Sequence, residues 1–463
     1  MRDTMVHRGP DGFGSAMEGR VALGHRRLSI VDLAHGQQPM RNGDGTVVLV
    51  YNGEIYNHPT LMSALQSEGV TYATHCDTET VLNLYEKYGE DFPRHCRGMF
   101  AVALWDARKE TLVLARDRFG VKPLYYVLAD DGTLSFASEI KALLEVDDSA
   151  RRLAIAELGD FLANHAPSGD DTLFHGVKRL PPGHLLVWRD GEVEIKKFWD
   201  LSYKPNTEKA GASDASLVAE FGDRLREAVR IRLMADVPLG AFLSGGIDSA
   251  AITAIMADMV DGPVRTFSVA FAEREANELY YARLVATRFK TEHHEVLLSA
   301  EEFWALLPRM IWHEDEPLAH PSSVALFAVA RLASQHVKVV LTGEGSDEML
   351  AGYNRYRVTL ANLTLGGIWS RFVPSTVREP IAAGIGPEGQ AGFRGKLART
   401  FLAREASLDS MYFDNFSVFS RKRIHELVTS DVADVIGSRN PYEAYHNALS
   451  RSDAPTRLAN AEV

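Results

Sequence analysis

The sequence predicts an α+β first half followed by an α/β second half built on a parallel sheet. Before about residue 205, short β-like segments are spaced by turn residues, which is typical of an α+β domain. Beyond it, short apolar segments alternate with helical periodicity, which is typical of a parallel sheet covered on both faces. The stretch 204–213 is polar and short on large apolar residues, so we predict domains over 1–203 and 214–463 with a linker between them.

In the first half, strands are predicted where short apolar segments end at turn residues. Two longer stretches have the length and composition of helices. The predicted strands are 46–51, 99–105, 111–115 and 124–128, and the predicted helices lie near 58–68 and 78–89.

The second half opens with a predicted helix, because apolar residues recur every three or four positions. These residues are Val218, Phe221, Leu225, Val229 and Leu233. Four apolar segments then predict strands at about 239–243, 265–271, 294–298 and 337–341, with helical segments between them. The tail beyond about 360 is predicted only to be rich in helix.

Length and composition limit the classes of protein that this chain represents. Its 463 residues suffice for two or three domains, and 46% are hydrophobic, which predicts a soluble globular protein. The net charge of -12 argues against a general nucleic-acid or membrane-surface binder, so we expect small-molecule partners, with a homodimer left open. No apolar stretch approaches the roughly 20 residues of a membrane span. The two cysteines fit a reducing compartment, and we expect a cytoplasmic protein.

One short motif points to nucleotide chemistry. Residues 244–249 read Ser-Gly-Gly-Ile-Asp-Ser, between an apolar run and a helix-compatible segment. A strand that ends in glycines and hydroxyls and then opens a helix presents free N–H groups and a positive dipole end to an anion such as pyrophosphate. No Lys follows the glycines, so the motif is not a kinase-type P-loop. The motif predicts ATP binding, and the alternative is a Gly-rich turn without a ligand.

A second motif, Leu-Thr-Gly-Glu-Gly-Ser-Asp-Glu at 341–348, follows another β-branched run. Its Asp347 and Glu348 are expected at the carboxyl end of a strand, where open α/β sheets bind ligands. With Asp248 they predict a site for Mg²⁺, which takes one or two carboxylates and completes its shell with phosphate and water oxygens. Alone, such an acidic loop is more typical of a solvated turn, and its pairing with residues 244–249 is what favours a site.

The first half carries a separate set of polar motifs. Arg27 suits a carboxylate, Asp77 suits an ammonium group, and Asn52 with the Gly53 N–H suits an oxyanion. Together these are the contacts that an amino acid and its side-chain amide need. Any one of them is also typical of a turn or a surface ion pair. The motifs are HRGPDG at 7–12, GHRRLSIVD at 24–32, YNGEIYN at 51–57, CDTE at 76–79 and RDRFGVKPLY at 116–125.

The motifs in this order resemble the glutamine-hydrolysing asparagine synthetase family over most of residues 1 to about 360. That family joins a class II glutamine amidotransferase domain, with the αββα layers of Ntn hydrolases, to an α/β ATP pyrophosphatase domain. The resemblance implies ATP-dependent amidation of aspartate to asparagine, by ammonia from glutamine and through a β-aspartyl adenylate. The motifs that carry it are HRGPDG, NGEIYN, RDRFGVKPLYY, LSGGIDS, FSVAF and LTGEGSDE.

The resemblance also implies roles for individual residues. Asp248 and Asp347 would bind Mg²⁺, and Glu348 would act near the reacting aspartate. A glutamine pocket would be lined by Arg27, Asn52, Gly53, Glu54 and Asp77. ATP would be contacted by Leu243, Ser244, Gly245, Gly246, Asp248, Ser249, Val269, Thr342 and Gly343.

Two parts of the family pattern are missing from the printed sequence. The family's glutaminase nucleophile is an N-terminal Cys whose own α-amine is the base, a few dozen residues before HRGPDG. Cys76 and Cys96 are internal and poor substitutes, so we expect no glutaminase activity from the chain as printed. The Lys-containing segment and the arginine-rich motif that the family carries beyond the acidic loop are not recognisable either. We expect that the sequence is truncated at both ends.

Three functions stay open on the sequence. The first is asparagine synthesis, the second is the same adenylating chemistry on another carboxylate, such as a cell-envelope, polysaccharide or β-lactam-type precursor, and the third is a fragment without glutaminase activity. His293-His294-Glu295 resembles a metal cluster but has no third ligand at a zinc-like spacing, so a structural or substrate-proximal role is favoured.

Overall fold

The computed structural model describes residues 1–201, 209, 211–271, 279–318, 320–385, 392–437 and 439–450. Its contacts divide the chain into two compact units, each assembled from separate segments. The first unit consists of the described residues of Met1–Arg152, His175–Asp200 and Ala212–Gly343. The second consists of those of Leu153–Phe174 and Leu201–Gly211 and of those from Glu344 onward. This division follows packing and not composition, so the boundaries at 203 and 214 stay a prediction; most of the predicted linker lies outside the described residues.

The first part of the first unit is built from antiparallel strands. The strands are β1 (Gly12–Glu18), β2 (Val21–Arg27), β3 (Met40–Arg41), β4 (Val47–Ile55), β5 (Gly98–Asp106), β6 (Thr111–Arg116), β7 (Tyr125–Leu128), β8 (Leu134–Ala137), β9 (Lys178–Arg179), β10 (His184–Arg189) and β11 (Glu192–Lys197). The helices of this stretch of chain are α1 (His58–Ser67), α2 (Asp77–Tyr88), α3 (Phe92–His95), α4 (Ile140–Leu143) and, in the second unit, α5 (Leu158–Asn164).

Across the described residues, six of these strands form one sheet in the order β11-β10-β6-β5-β4-β3. Strands β1 and β2 form a hairpin, and β8-β7-β9 form a smaller sheet. One face of the large sheet packs on α2 through Val81, Leu84 and Tyr85. The other face packs on β2 and β7 through residues such as Leu23 and Tyr126.

Strand β4 is buried along almost its whole length, which explains why its first residues form a continuous apolar run and not an alternating pattern. Helix α4, whose Ile140, Ala142 and Leu143 are fully buried, contacts the smaller sheet. The layers are therefore helix, sheet, sheet and helix, and the predicted αββα architecture is confirmed.

The rest of the first unit is a parallel α/β sheet, as predicted. Its strands are β12 (Leu239–Phe242), β13 (Arg265–Phe271), β14 (Glu292–Leu298) and β15 (Val339–Leu341). In the part of the chain that the structure describes, they are arranged β14-β13-β12-β15, and every pair is parallel. The helices are α6 (Asp214–Ile231), α7 (Ile247–Ala257), α8 (Leu279–Phe289), α9 (Ala300–Glu314) and α10 (Ser322–Ala333).

Two details of the predicted second half differ from the structure. Strand β14 begins at Glu292, two residues earlier than predicted, because its first residues are charged or polar and carry no apolar signal. His293 therefore lies inside a strand and not at the junction of a helix and a strand. The remaining predicted strands agree with the observed ones to within two residues.

The second unit is helical beyond residue 344. Its helices are α11 (Ser346–Leu350), α12 (Asn354–Phe372), α13 (Ser375–Ile385), α14 (Phe393–Leu397), α15 (Asp414–Phe416), α16 (Arg421–Leu427), α17 (Ser430–Ile436) and α18 (Glu443–Ser450). A core of Ala163, Ile424, Ile436 and Tyr442 joins α5 to this segment. Among the described residues, none of the helices combines the length and the apolar character needed to cross a lipid bilayer.

Candidate active sites

A cavity of about 370 Å³ opens at the end of β4, beside the start of α2. It contains all five residues that the sequence predicted for a glutamine pocket, although they come from three separate segments of the chain. The side chains that line it include Met5, Arg8, His25, Arg27, Gln38, Tyr51, Asn52, Glu54, Cys76, Asp77, Thr78, Lys122 and Ser138, together with Gly53.

Arg27, at the end of β2, is buried and organises the loop that follows it. Its Nη1 donates to the Leu33 carbonyl at 3.1 Å, and its Nη2 donates to the Asp32 carbonyl at 2.7 Å. The guanidinium therefore holds one wall of the cavity while its charge faces the interior. This is a fixed positive group at a site where an anionic ligand is expected.

Asp77 begins α2 and is also buried. Its Oδ2 accepts a hydrogen bond from the Tyr51 hydroxyl at 2.7 Å and another from the Ile55 amide at 3.0 Å. Both contacts come from β4, so they fix the carboxylate against the strand that carries Asn52 and Gly53. Arg27 and Asp77 thus place opposite charges in the same cavity.

The three predicted residues on β4 lie opposite β5, with Asn52 beside Ala101, Gly53 beside Phe100 and Glu54 beside Met99. A Cβ on Gly53 would lie 2.7 Å from the Phe100 Cα, so this position requires glycine. Burial, together with the Asp77 carboxylate, raises the pKa of Glu54 to about 7.

Lys122 is a cavity residue that the sequence did not single out. The Asp117 carboxylate accepts hydrogen bonds from the Phe119, Val121 and Lys122 amides at 3.1, 3.0 and 2.9 Å, which shapes the loop after β6. That loop delivers Lys122 into the cavity. Burial, with the Arg8 charge as a second cause, lowers the pKa of the Lys122 ammonium.

The two thiols are buried and poorly suited to act as nucleophiles. Cys76 lines the cavity, and burial raises its pKa to about 11. Cys96 packs in the core beside α2, and burial raises its pKa to about 12. Because the thiolate is the reactive form, neither side chain is activated at neutral pH.

The loop over residues 244–249 joins β12 to α7, as the motif predicted. Gly245 has a φ of +86°, a conformation that favours glycine. The Ser244 amide donates to the Ser249 Oγ at 3.2 Å, and the Ser249 Oγ donates to the Gly246 carbonyl at 3.1 Å. These contacts curl the loop so that it leads into the N-terminus of α7.

Asp248 lies in the first turn of α7, against the loop that follows β15. A Cβ on Gly343 would lie 2.8 Å from the Asp248 Cβ and 3.0 Å from the Ser249 amide nitrogen. The adjacent strand β13 contributes Ser268, which donates to the Leu243 carbonyl, and carries Val269 next to it. The structure therefore brings Leu243 to Ser249 together with Gly343 and, through it, Thr342.

Asp347 and Glu348 belong to the second unit, in the short helix α11. The Glu348 Oε1 accepts a hydrogen bond from the Tyr353 hydroxyl at 2.7 Å. This bond is the main cause that raises the pKa of Tyr353 to about 12. The backbone folds back here, because the Gly352 amide donates to the Asp347 carbonyl at 2.9 Å.

Comparison with known proteins gives two family matches that together span most of the chain. Residues 1–199 match a family described as a glutamine amidotransferase domain, and residues 220–444 match one described as asparagine synthase. A putative glutamine-hydrolysing asparagine synthetase 2 of Methanocaldococcus jannaschii is 34% identical over 389 residues, covering 77% of this chain and 73% of the relative. The chain belongs to the glutamine-hydrolysing asparagine synthetase family.

Other members of this family, and proteins with other names, are similar as well. Asparagine synthetase 1 of Bacillus subtilis is 36% identical over 425 residues, which are 90% of this chain and 64% of that protein. Amidase chyE of Penicillium rubens is 36% identical over 86% of this chain and 61% of its own length. The chain thus spans somewhat less than two thirds of the length of these two relatives.

The sequence predicted five residues that line the cavity and missed others. Arg27, Asn52 and Asp77 lie in motifs whose residue types suggest ligand binding. Lys122 lies in the motif RDRFGVKPLY, where its amide donates to Asp117 and so fixes the loop. Tyr51 and Gln38 have no such signal, because they act by hydrogen bonding to the strand: the Gln38 Nε2 donates to the Tyr51 carbonyl at 3.0 Å.

Proposed function

We propose that the protein is an ATP-dependent amide ligase that converts aspartate to asparagine with ammonia derived from glutamine. One observation carries the proposal. A charged cavity suited to an amino acid and a glycine and hydroxyl loop suited to a pyrophosphate occur in the same compact unit. The family to which the chain belongs agrees with both halves of this chemistry.

In the cavity, we assign Arg27 to the α-carboxylate of glutamine and Asp77 to its α-ammonium group. Asn52 and the Gly53 N–H would donate to the oxygen that becomes negative when the amide carbon is attacked. Glu54 completes this glutamine-binding set, and its pKa of about 7 suits a group that exchanges a proton near neutral pH. In the whole protein, glutamine and water give glutamate and ammonia in this step, and neither Cys76 nor Cys96 is assigned as its nucleophile.

We assign ATP to the loops at the carboxyl ends of β12 and β15, with Leu243, Ser244, Gly245, Gly246, Ser249, Val269, Thr342 and Gly343 as its contacts. The free amide groups at the start of α7 would face the phosphates. Gly343 allows the second loop to approach Asp248 closely.

The same site suits Mg²⁺ by the chemistry of its oxygen donors. The Asp248 carboxylate accepts no hydrogen bond from any residue in the described ranges, so its oxygens are available to a hard cation. We assign Asp248 to the ion, which when bound would neutralise charge on the departing pyrophosphate; the role of Asp347 stays a prediction from the family resemblance.

The synthetase reaction then has two steps. A carboxylate oxygen of aspartate attacks the α-phosphorus of ATP, and pyrophosphate leaves, which gives the β-aspartyl adenylate. Ammonia attacks the acyl carbon, AMP leaves, and one proton is released. The adenylate is needed because a free carboxylate is a very poor electrophile, and a role for Glu348 near the aspartate stays a prediction from the family resemblance. We further propose that the enzyme acts in the cytoplasm on small molecules, and that it forms a homodimer.

A second candidate keeps the adenylation step and changes the acceptor. It is favoured by the similarity to the amidases chyE and chry2, which are 36% and 32% identical to this chain. In that case the carboxylate would come from another molecule, such as a cell-envelope, polysaccharide or β-lactam-type precursor, while the nucleotide loops keep their role.

One experiment tests both candidates. The protein is supplied with ATP, Mg²⁺, ammonia and a panel of carboxylic acids, and pyrophosphate release is followed. We expect release with aspartate, reduced about 100-fold or more in Asp248→Asn with the fold unchanged. Release with another acid and not with aspartate selects the second candidate. The absence of release with every acid, or full activity in Asp248→Asn, contradicts the proposed nucleotide site.

A further inference from the structure

Three potential metal ligands converge at the end of the parallel sheet where its strands begin. Glu292 and His294 lie two residues apart on β14, so they face the same side of the sheet. His336 lies in the turn between α10 and β15. Within the described residues, theirs is the one set of three or more His, Cys, Asp or Glu side chains whose donor atoms all lie within 4.8 Å of one another.

The donor atoms lie within 4.8 Å of one another, so the cluster is a set of ligands that side-chain rotation could gather and not yet a coordination sphere. The His294 Nε2 lies 3.2 Å from the Glu292 Oε1, and the His294 and His336 rings stack with their centroids 4.0 Å apart. Donors in a tetrahedral Zn²⁺ site are about 3.4 Å apart, given bonds of roughly 2.0–2.1 Å. Small rotations of the half-exposed His336 and the exposed Glu292 therefore suffice to bring the three donors onto one ion.

The three side chains differ in how firmly their neighbours hold them. The His294 ring packs on Phe267, whose own ring is fully buried, which limits its orientation. The His336 ring accepts or donates no hydrogen bond among the residues that the structure describes, so its nitrogens are available. Glu292 also pairs with Arg265, whose Nε donates to the Glu292 Oε2 at 3.2 Å. Arg265 is therefore the competitor of a cation at this position.

Neighbouring histidine His293 takes no part in the cluster. It faces the other side of the sheet, where its Nδ1 lies 2.9 Å from the Thr266 Oγ1 and its Nε2 lies 3.1 Å from the Glu295 Oε1. The sequence pointed to His293-His294-Glu295, but alternation along the strand separates these residues and pairs His294 with Glu292 instead. The third ligand is 42 residues away in the chain and has no local signal.

We propose that Glu292, His294 and His336 form a binding site for a divalent transition-metal ion, of which Zn²⁺ is the best match. Two imidazoles and one carboxylate are donors that Zn²⁺ accepts and Mg²⁺ disfavours. The site lies at the amino ends of the parallel strands, opposite the end that carries residues 244–249, so it is separate from the proposed nucleotide site. A bound ion fastens the turn before β15 to the edge strand β14.

The proposal is tested by Zn²⁺ titration of the full chain, without nucleotide, by calorimetry and by metal analysis after desalting. We expect one Zn²⁺ per chain, and an affinity at least 10-fold weaker in His294→Gln, His336→Gln and Glu292→Gln. Glu292→Gln alters no packed surface, so it separates lost coordination from lost folding, which circular dichroism checks in each variant.

His293→Gln is the matched control, since it removes an imidazole from the same strand but from the other face. We expect its Zn²⁺ affinity to stay within about twofold of the wild type. Zn²⁺ should also raise the melting temperature of the wild type and of His293→Gln, and not that of Glu292→Gln. Equal affinity in the wild type and the three ligand variants, or an equal loss in His293→Gln, overturns the assignment.

Discussion

At the scale of single residues, the cavity proposed to bind glutamine is lined by charged groups of both signs. Glu54 and Asp77 are buried carboxyl groups, Arg27 is a buried cation, and Arg8 and Lys122 are partly buried cations beside them. Each of these groups is costly to bury alone, and groups of opposite sign in one cavity offset part of that cost. Charges of both signs suit a zwitterionic amino acid.

Glu54 makes the stability of the protein depend on pH in a direction that follows from its raised pKa. The pKa is about 7 in the folded protein, against 4.5 for an ordinary Glu. Below pH 4.5 both folded and unfolded states are protonated and the stability is fully present. It is lost as pH rises through 7, because the unfolded state ionises first, and the loss amounts to about 3 kcal/mol at most.

We therefore expect Glu54→Gln to match the wild type at pH 4 and to be more stable by roughly 2–3 kcal/mol at pH 8. Urea unfolding at the two pH values measures the difference. The control is Glu145→Gln, which removes the same charge from an exposed position and should show no such change. An equal difference in unfolding free energy between Glu54→Gln and the wild type at both pH values would contradict a buried Glu54 with a raised pKa.

The thiols provide a second prediction at this scale. With pKa values of about 11 and 12, Cys76 and Cys96 should react with a disulfide reagent at pH 8 at least about 100-fold more slowly than a free thiol. Thiol titration should find no rapidly reacting group in the native protein and two after denaturation. Rapid reaction of one equivalent in the native state, lost in Cys76→Ala, would mean that Cys76 is activated in the cavity.

At the scale of elements, the proposed nucleotide site depends on two loops that approach each other at one glycine. Residues 244–249 curl through their own hydroxyl groups, and Gly343 lies against Asp248 with no room for a side chain. The sequence predicted both loops, because each follows a short apolar strand and is rich in glycine and hydroxyl residues, and it predicted that the loops are adjacent. The close approach at Gly343 was not predicted, because it depends on the pairing of β12 with β15.

Gly343→Ala tests that contact. A Cβ 2.8 Å from the Asp248 Cβ must displace one loop, so we expect at least a 10-fold loss of aspartate-dependent pyrophosphate release with normal circular dichroism. Gly222→Ala in α6 is the matched control, because a Cβ there meets nothing within 4 Å and should leave activity unchanged. Its stability should be equal or higher by about 0.5–1 kcal/mol. Full activity in Gly343→Ala would mean that the loops do not need this approach.

The strand boundaries show how far local sequence pattern predicts where a strand begins and ends. Strands β4, β5 and β6 were predicted within a few residues because sandwiching between two layers makes them apolar on both faces. The start of β14 was missed because an edge strand tolerates charged residues such as Glu292.

At the scale of the whole molecule, packing does not follow chain order. In the second unit, α5 joins the C-terminal helices: the Val418 amide donates to the Ala163 carbonyl at 3.0 Å, and Arg439 pairs with Glu157. These partners are more than 250 residues apart in sequence, so no periodicity or composition predicts them. The predicted division into two successive domains therefore rests on composition alone. Contacts between distant segments are visible only in the structure.

In the first unit, the antiparallel layers are joined to the parallel sheet by a buried ionic cluster. The Lys141 Nζ lies 2.6 Å from a Glu139 oxygen and 3.0 Å from an Asp315 oxygen, and the Ile140 amide donates to Asp315 at 2.8 Å. The three charged side chains are 7–11% exposed. The Trp312 ring lies 4.7 Å from the same ammonium group. Removing one partner from such a cluster leaves buried charges unpaired, at a cost of about 3–5 kcal/mol.

This cluster predicts how the protein behaves when its chain is cut at the predicted linker. After a protease site is placed within 204–213 and cleaved, the two pieces should co-elute in gel filtration, because their contacts do not depend on the linker. In urea, the pieces should separate at a clearly lower concentration in Lys141→Met, which leaves Asp315 buried without its cation, whereas Glu139 keeps its ion pair with Arg8. Arg97→Met is the control: it breaks the exposed ion pair with Glu227, which is worth less than about 1 kcal/mol, so separation should barely shift. Pieces that separate without denaturant, or equal shifts in the two variants, would show that the buried cluster does not hold the antiparallel layers to the parallel sheet.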